Sequence, residues 1–261
     1  MTRRPNVWMD TVRDLPAITL QEVEDRAALQ VRVDRKYLLD PHTWSIVLAS
    51  LDERPSVLEI EELRRFRYSS TYYDTSGLDS YRDAARSRPH RYKVRTRRYL
   101  DTGSQAVEVK MRSASGATVK SRQWLDASEV GGPLPDAAVT FLGQFDRIGD
   151  QAHELTQVLT TTYERVTLVT DQSRVTVDRH VAATDTGGRH MDYGDLLFVE
   201  TKSDGGAGAV DRALWAAGIR PVRISKYCTS LAALRPELPA NRWSRSLRRY
   251  LPKVAAHAVA A

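Results

Sequence analysis

The sequence predicts an α+β fold built mostly from antiparallel sheet. Short segments that alternate polar and apolar residues recur along most of the chain. Tight-turn glycines or an Asp-Pro pair punctuate them, and helical patterning is confined to a few stretches. The 261 residues are 41% hydrophobic and 28% charged, which places the chain among ordinary folded proteins with a real core. No internal repeat or low-complexity linker divides it, so one domain is the simplest account.

In order, residues 1–30 are polar and weakly periodic, a leader with one short helix near "LQEVEDRAAL". A strand follows at "VRVDRKYLL". Asp40-Pro41 then supplies an N-cap and first-turn pair for a helix to about Leu51. Strands are expected at "RRFRYSSTYYDT", "RYKVRTRRYL", "QAVEVKMRS" and "ATVKSRQWL", the last three a meander turned at Gly103 and Gly116. The middle, "GGPLPDAAVTFLGQFDRIGDQAHELTQVL", reads as helical, punctuated by Gly131-Gly132-Pro133. Strands resume at "TYERVTLVT", "RVTVDRHV" and "DLLFVETKS". A helix at "GAVDRALWAAG", a short strand at "PVRIS", a helix from Lys226 and a basic amphipathic helix in "NRWSRSLRRYL" complete the chain.

The formal net charge is +6, which suits an acidic partner: nucleic acid, a phosphate-rich ligand or an anionic membrane. A single cysteine, Cys228, excludes an internal disulfide and a cysteine-based zinc site, as expected in a reducing cytoplasm. No run approaches the ~20 apolar residues of a membrane span, and the first residues lack an apolar signal region. The histidines His42, His90, His153, His180, His190 and His257 lack metal-ligand spacing and are expected at the surface.

Alternation splits each strand into two faces. Val31, Val33 and Tyr37 oppose Arg32, Asp34 and Lys36; Tyr92, Val94 and Thr96 oppose Arg91, Lys93, Arg95 and Arg97; Val107, Val109 and Met111 oppose Glu108, Lys110 and Arg112. Lys120 shares a face with Arg122, Tyr163 with Arg165, Arg174 with Asp178, and Glu200 with Lys202. A sheet with one solvated face gives this pattern. So does a barrel with a charged interior. The polar face is nevertheless mostly Arg and Lys, and like charges on neighbouring strands cost stability. A bound polyanion, or anion plus metal, would relieve that cost.

The ordered set "DRKYLL", "STYYDT", "KVRTR", "VEVK", "VKSR", "YER", "RVTVD", "VETK" and "SKY" resembles the VTC-type polyphosphate polymerase domains. These belong to the triphosphate tunnel metalloenzymes, the CYTH-like superfamily. The resemblance runs from about Val31 to Tyr227, and it rests on the succession of motifs rather than on any one of them. It implies a closed antiparallel β-barrel, a triphosphate tunnel of about eight strands with a charged interior, surrounded by helices. The domain would span 31–235, after the leader (1–30) and before a basic C-terminal helix and tail (236–261).

The resemblance further implies that Lys36, Arg95, Arg97 and Lys226 carry catalysis. Lys93, Lys110, Lys120, Arg122, Tyr163, Arg165, Arg174, Lys202 and Ser225 would bind substrate. Glu200 would be the main ligand of Mn²⁺ or Mg²⁺, with Glu108 as a second acid. The expected partners are ATP or another triphosphate and inorganic polyphosphate, with neither DNA nor an integral membrane segment. These residue types suit phosphoryl transfer, which needs alignment and charge neutralisation more than covalent help.

The tunnel triphosphatases open with two glutamates and a lysine at alternate positions. Here that place reads Arg32, Asp34, Lys36, which favours the polymerase branch. The phosphate-sensing helical domain and membrane spans of yeast-like polymerases are not legible in this sequence. Two other readings stay open on the residues alone: hydrolysis of tripolyphosphate or another triphosphate, and non-catalytic binding of polyphosphate or nucleic acid through an outward basic face.

Overall fold

The computed structural model describes residues 7–26, 32–112, 118–126, 133–170 and 173–251. Val31, the turn at Gly116, Gly131-Gly132, His257 and the C-terminal tail lie outside the described residues. In chain order the elements are α1 (Val7–Arg13), β1 (Ala17–Ile18), α2 (Leu20–Arg26), β2 (Arg32–Leu39), α3 (Pro41–Ala49), β3 (Ser56–Leu58) and β4 (Phe66–Asp74). Then come α4 (Asp79–Ala85), β5 (Tyr92–Tyr99), β6 (Gln105–Arg112), β7 (Thr118–Leu125), α5 (Asp136–Leu142) and a 3-10 helix at Gly149–Glu154. The remainder is β8 (Thr156–Thr170), β9 (Ser173–Asp185), β10 (His190–Asp192), β11 (Leu197–Asp204), α6 (Ala209–Ala216), α7 (Lys226–Leu234) and α8 (Ser244–Tyr250).

The strands pair in the order β2-β11-β9-β8-β4-β5-β6-β7, with β3 and β10 beside β8 and β9 and β1 beside β3. Among the described residues β2 and β7 end this path, so the sheet is open and the expected closed barrel is not formed by backbone pairing. The outer edge of β2 meets the "PVRIS" segment, which is irregular rather than a strand. Its Val222 N–H donates to the Lys36 carbonyl at 2.7 Å. Pro221 beside it has no N–H with which to extend a ladder.

By compactness the chain falls into two units. One comprises Met1–Phe66, Tyr163–Val181 and Gly194–Val222; the other comprises Arg67–Thr162, Ala182–Tyr193 and Arg223–Ala261.

In the first unit, the apolar sides of β2, β8, β9 and β11 (Tyr37, Leu39, Val166, Leu168, Val175, Val177, Leu197 and Val199) share one core with Trp44, Val47, Val210 and Leu214 of α3 and α6. The expected cap forms: Asp40 accepts from the Thr43 N–H at 2.9 Å and the Thr43 hydroxyl at 2.7 Å. The polar leader also enters this core. Trp8 and Val12 lie on one side of α1, Leu15 follows, and all three are buried.

In the second unit, Tyr92, Val94, Val107 and Val109 pack with Leu134, Ala138, Phe141 and Leu142, so α5 covers the apolar face of the meander. The turn from β5 to β6 closes through Gly103, whose φ of 72° suits glycine. The helical middle is shorter than expected, because β-branched residues draw Thr156–Thr162 into β8. No helix among the described residues is long and apolar enough to cross a membrane.

Candidate functional site

Register decides which charges meet. In the second unit, β4–β7 place cross-strand rows on the face opposite α5. One row is Lys93, Lys110 and Lys120; the next is Tyr72, Arg95, Glu108 and Arg122; the third is Ser70, Arg97, Ala106 and Trp124. These rows hold six cations and one carboxylate, Glu108, which meets three of them. Glu108 is 2% exposed and receives Arg95 at 2.6 Å, Lys120 at 2.5 Å and Arg97 at 3.8 Å. Burial pushes its carboxyl up, but Arg95, Arg97 and Lys120 outweigh that and hold it well below the usual carboxylate range.

Lys120, by contrast, is pulled down to about 8 by desolvation together with Arg95 and Arg97, against the attraction of Glu108. Tyr72 reports the same positive field. Burial pushes its phenol up, yet Arg95, Arg97 and Lys226 bring it below the ordinary value. Arg95 also donates to the Tyr72 hydroxyl at 3.3 Å, and Arg97 donates to Ser70 Oγ at 3.3 Å.

The N-terminus of α7 joins this face. Ser225 caps the helix by accepting from the Cys228 N–H, and its hydroxyl also accepts from Lys93 Nζ at 2.9 Å. The adjacent Tyr227 stacks on Tyr72, with ring centroids 4.9 Å apart, and donates to Asp74 at 2.7 Å. Asp74 is fully buried and further accepts the N–H groups of Thr75, Ser80 and Tyr81. Tyr72 and Asp74 are therefore packing and anchoring residues that seat α4 and α7. The "YSSTYYD" alternation could have placed Tyr68, Ser70 and Tyr72 beside the arginines. The Tyr227 contact, 153 residues distant in sequence, had no local signal.

In the first unit, the corresponding faces of β2, β11 and β9 carry the row Lys36, Glu200, Thr176 and the row Asp34, Lys202, Arg174. The Glu200 carboxylate lies between Lys202 Nζ at 2.6 Å and Lys36 Nζ at 3.7 Å, and Lys202 also reaches Asp34 at 3.0 Å. Arg165 forms a two-pronged pair with Asp178, at 2.5 and 2.8 Å, and lies over the Tyr163 ring, 5.4 Å from its centroid. Asp178 thus orients an arginine. Tyr163 is buried, whereas Arg165 and Arg174 are half-buried.

On the helix side of the same sheet, Arg35, Tyr37, Thr201 and the Gly208 N–H converge on Asp211, which is fully buried. Period two puts Arg35 with Tyr37, but only the fold reveals its partner.

Two sets of expected residues are therefore brought together, each within its own unit. Lys93, Arg95, Arg97, Lys110, Lys120, Arg122, Ser225 and Lys226 lie in the second unit with Glu108. Lys36, Tyr163, Arg165, Arg174 and Lys202 lie in the first with Glu200. Both acids stand between cations, but Glu108 is buried beneath them, so its observed work is to hold Arg95 and Lys120. Glu200 is 23% exposed and fits a divalent ion better. Among the described residues no group of three or more His, Cys, Asp or Glu gathers. A metal held by Glu200 alone would need the rest of its coordination from phosphate oxygens or water. His42, His90, His153 and His180 are exposed and His190 is half-buried.

Among solved structures, the chain is similar to a candidate adenylate cyclase from Bacillus halodurans. Identity is 15%, covering 77% of this chain and 96% of that one, with a TM-score of 0.49. It is also similar to a candidate adenylyl cyclase from Hippeastrum described as having a dominant triphosphatase activity, at 14% identity over 81% of this chain and 100% of that one, TM-score 0.48. No curated protein matches the sequence. The family model of the VTC domain matches residues 31–235, most of the described strands and both charged faces, and the chain belongs to the VTC domain family.

Proposed function

We propose that this protein is a metal-dependent phosphotransferase that moves the γ-phosphate of ATP onto a growing inorganic polyphosphate chain. The observation that carries this reading is the disproportion of the second unit's face. Lys93, Arg95, Arg97, Lys110, Lys120 and Arg122 stand on three adjacent strands around the single carboxylate of Glu108. So much like charge is favourable when a polyanion lies against it.

The reaction passes one phosphoryl group between oxygens. A terminal polyphosphate oxygen forms the new P–O bond, the bond from the γ-phosphorus to the β–γ bridging oxygen breaks, and ADP leaves with the electron pair. Arg95 and Arg97 neutralise charge developing on the equatorial oxygens, their forks aimed by Glu108, Tyr72 and Ser70. Lys93 and Lys226 at the start of α7 hold phosphate groups further along, and Ser225 orients Lys93. In the first unit Glu200 would hold Mn²⁺ or Mg²⁺, with Lys36 and Lys202 beside it. When bound, the ion supplies Lewis-acid polarisation of phosphate oxygens.

The carboxylates of both faces are tied to cations, which supports transfer to an anionic acceptor over activation of water. Phosphorus NMR of the protein with ATP and Mn²⁺ tests the proposal. Growth of an inner-chain phosphate signal with ADP supports it. Orthophosphate without polymer reassigns the protein to triphosphate hydrolysis, and an unchanged ATP spectrum defeats both readings.

A further inference from the structure

At the end of the phosphate-facing rows, the second unit's meander carries a cluster of aromatic rings that phosphate chemistry does not require, with Arg97 and Arg122 of those rows lying over two of them. Tyr68 and Tyr99 are cross-strand neighbours whose rings meet edge to face at 5.3 Å. Tyr99 lies 5.5 Å from Trp124. Arg97 stands over Tyr68 at 5.3 Å, and Arg122 over Trp124 at 4.5 Å while donating to the Tyr99 hydroxyl at 3.4 Å. Trp124 is 53% exposed, whereas Trp8, Trp44 and Trp243 are buried.

A large aromatic ring left open to water on a strand costs free energy unless something covers it. Its place in the register indicates what. Trp124 sits in the row of Arg97, and only the methyl of Ala106 stands between them. The rows of Arg95 and Lys93 follow along the same face, two and four residues away, or roughly 7 and 13 Å at the strand rise. An aromatic ring at one end of a line of phosphate-binding cations matches a ligand that has a flat π-system at one end and a phosphate chain at the other.

We infer that Trp124, backed by Arg122 and Tyr99, is a stacking platform for the base of a nucleoside triphosphate whose phosphates lie along the Arg97, Arg95 and Lys93 rows. The site rests on the triphosphate reading above and deepens it, since it selects a nucleotide donor over inorganic tripolyphosphate. Stacking on a ring tolerates any base, so the platform gives preference for nucleotides without strong choice among them. Arg122 acts here through the ring, as a cation seated over the indole, rather than chiefly as a phosphate ligand.

The test is calorimetric titration of the full chain with ATP and with tripolyphosphate, in EDTA so that neither turns over. The wild type, Trp124→Ala and Trp124→Phe are compared. The proposal expects ATP to lose about five- to a hundredfold in affinity in Trp124→Ala, the range typical of a lost base–aromatic stack. Tripolyphosphate binding stays within twofold, and Trp124→Phe restores most of the ATP affinity. Equal weakening of both ligands in Trp124→Ala, or no change in either, overturns the platform and leaves the triphosphate reading standing. Wild-type protein that binds neither ligand sinks that reading and the platform with it. A single-stranded oligonucleotide that displaces ATP and binds more tightly than it also overturns the proposal, in favour of nucleic acid.

Discussion

The two charged faces of this protein are built from the same strand geometry and differ in how their charges are balanced. In the first unit carboxylates nearly match the cations in number: Lys36 and Lys202 meet at Glu200, Lys202 also reaches Asp34, and Arg165 is gripped by Asp178. In the second, one buried glutamate serves three cations, and the rows around it stay strongly positive. A balanced face keeps each side chain in a fixed geometry and suits a site where a metal is placed. An unbalanced face stores repulsion that an anion relieves, and so suits a polyanion.

The sharpest way to break this contrast is to remove the shared acid. Glu108→Gln leaves Arg95, Arg97 and Lys120 partly buried without their counter-charge. It is expected to destabilise the protein by about 3–5 kcal/mol, measured by urea unfolding. Loss of less than about 1 kcal/mol would show that the second face is not held by Glu108. Because the folded-state pKa of Glu108 is depressed, its contribution is fully present above the unfolded value near ~4.3 and is lost as pH falls below it. The wild type should therefore lose stability faster than Glu108→Gln on acidification below about pH 4.

Glu200→Gln tests the other face by function. The fold should survive, since the carboxylate is partly exposed, while turnover falls by about a hundredfold or more, equivalent to ~2.7 kcal/mol. Metal-dependent turnover that persists in this variant would remove Glu200 from the metal site. A matched pair then sharpens the difference between faces. Arg95→Ala should weaken tripolyphosphate binding by roughly 10- to 100-fold, as expected for a lost charge-assisted hydrogen bond. Asp178→Asn should weaken it less, because Arg165 keeps its charge and loses only its orientation; equal losses would erase the distinction.

The smallest expected effect is on pH. Lys120 is pulled down to about 8, so it loses its proton as pH rises past that value, and tripolyphosphate affinity should decline several-fold between about pH 8 and 10. Lys120→Arg, charged throughout, should flatten that decline. An unchanged profile would assign the pH dependence to another group.

Much of this arrangement was legible in the sequence, and the reason is period two. Once "RYKVRTRRYL" and "QAVEVKMRS" are strands joined through Gly103, alternation alone separates Lys93, Arg95 and Arg97 from Val94, and Glu108 and Lys110 from Val107 and Val109. The Asp40-Pro41 signal was equally local, and the cap forms as read. What escaped is non-local or weakly patterned. The core role of α1 rests on Trp8 and Val12, with Leu15 just after it, too few apolar residues in a polar leader to stand out. The "PVRIS" segment has strand composition but meets β2 through the Val222 bond without extending a ladder, because Pro221 has no N–H to donate. The anchoring of α7 through Tyr227 and Asp74 joins residues far apart in the chain. The exposed Trp124 was visible as a residue, but its Arg122 and Tyr99 neighbours follow only from the register.

One buried carboxylate governs more than its distance from the chemistry suggests. Asp211 ties β2, through Arg35 and Tyr37, to β11, through Thr201, and to the start of α6, through the Gly208 N–H. A slip of β2 against β11 by a single residue would pull Arg35 and Tyr37 out of its reach and bring a neighbour of opposite facing beside Glu200. Asp211 is thus a frame-setter for the strand pair: it fixes the phase in which Lys36 and Glu200 coincide. Damage to the first turn of α6, on the far side of the sheet, is expected to be felt first as a misaligned lysine.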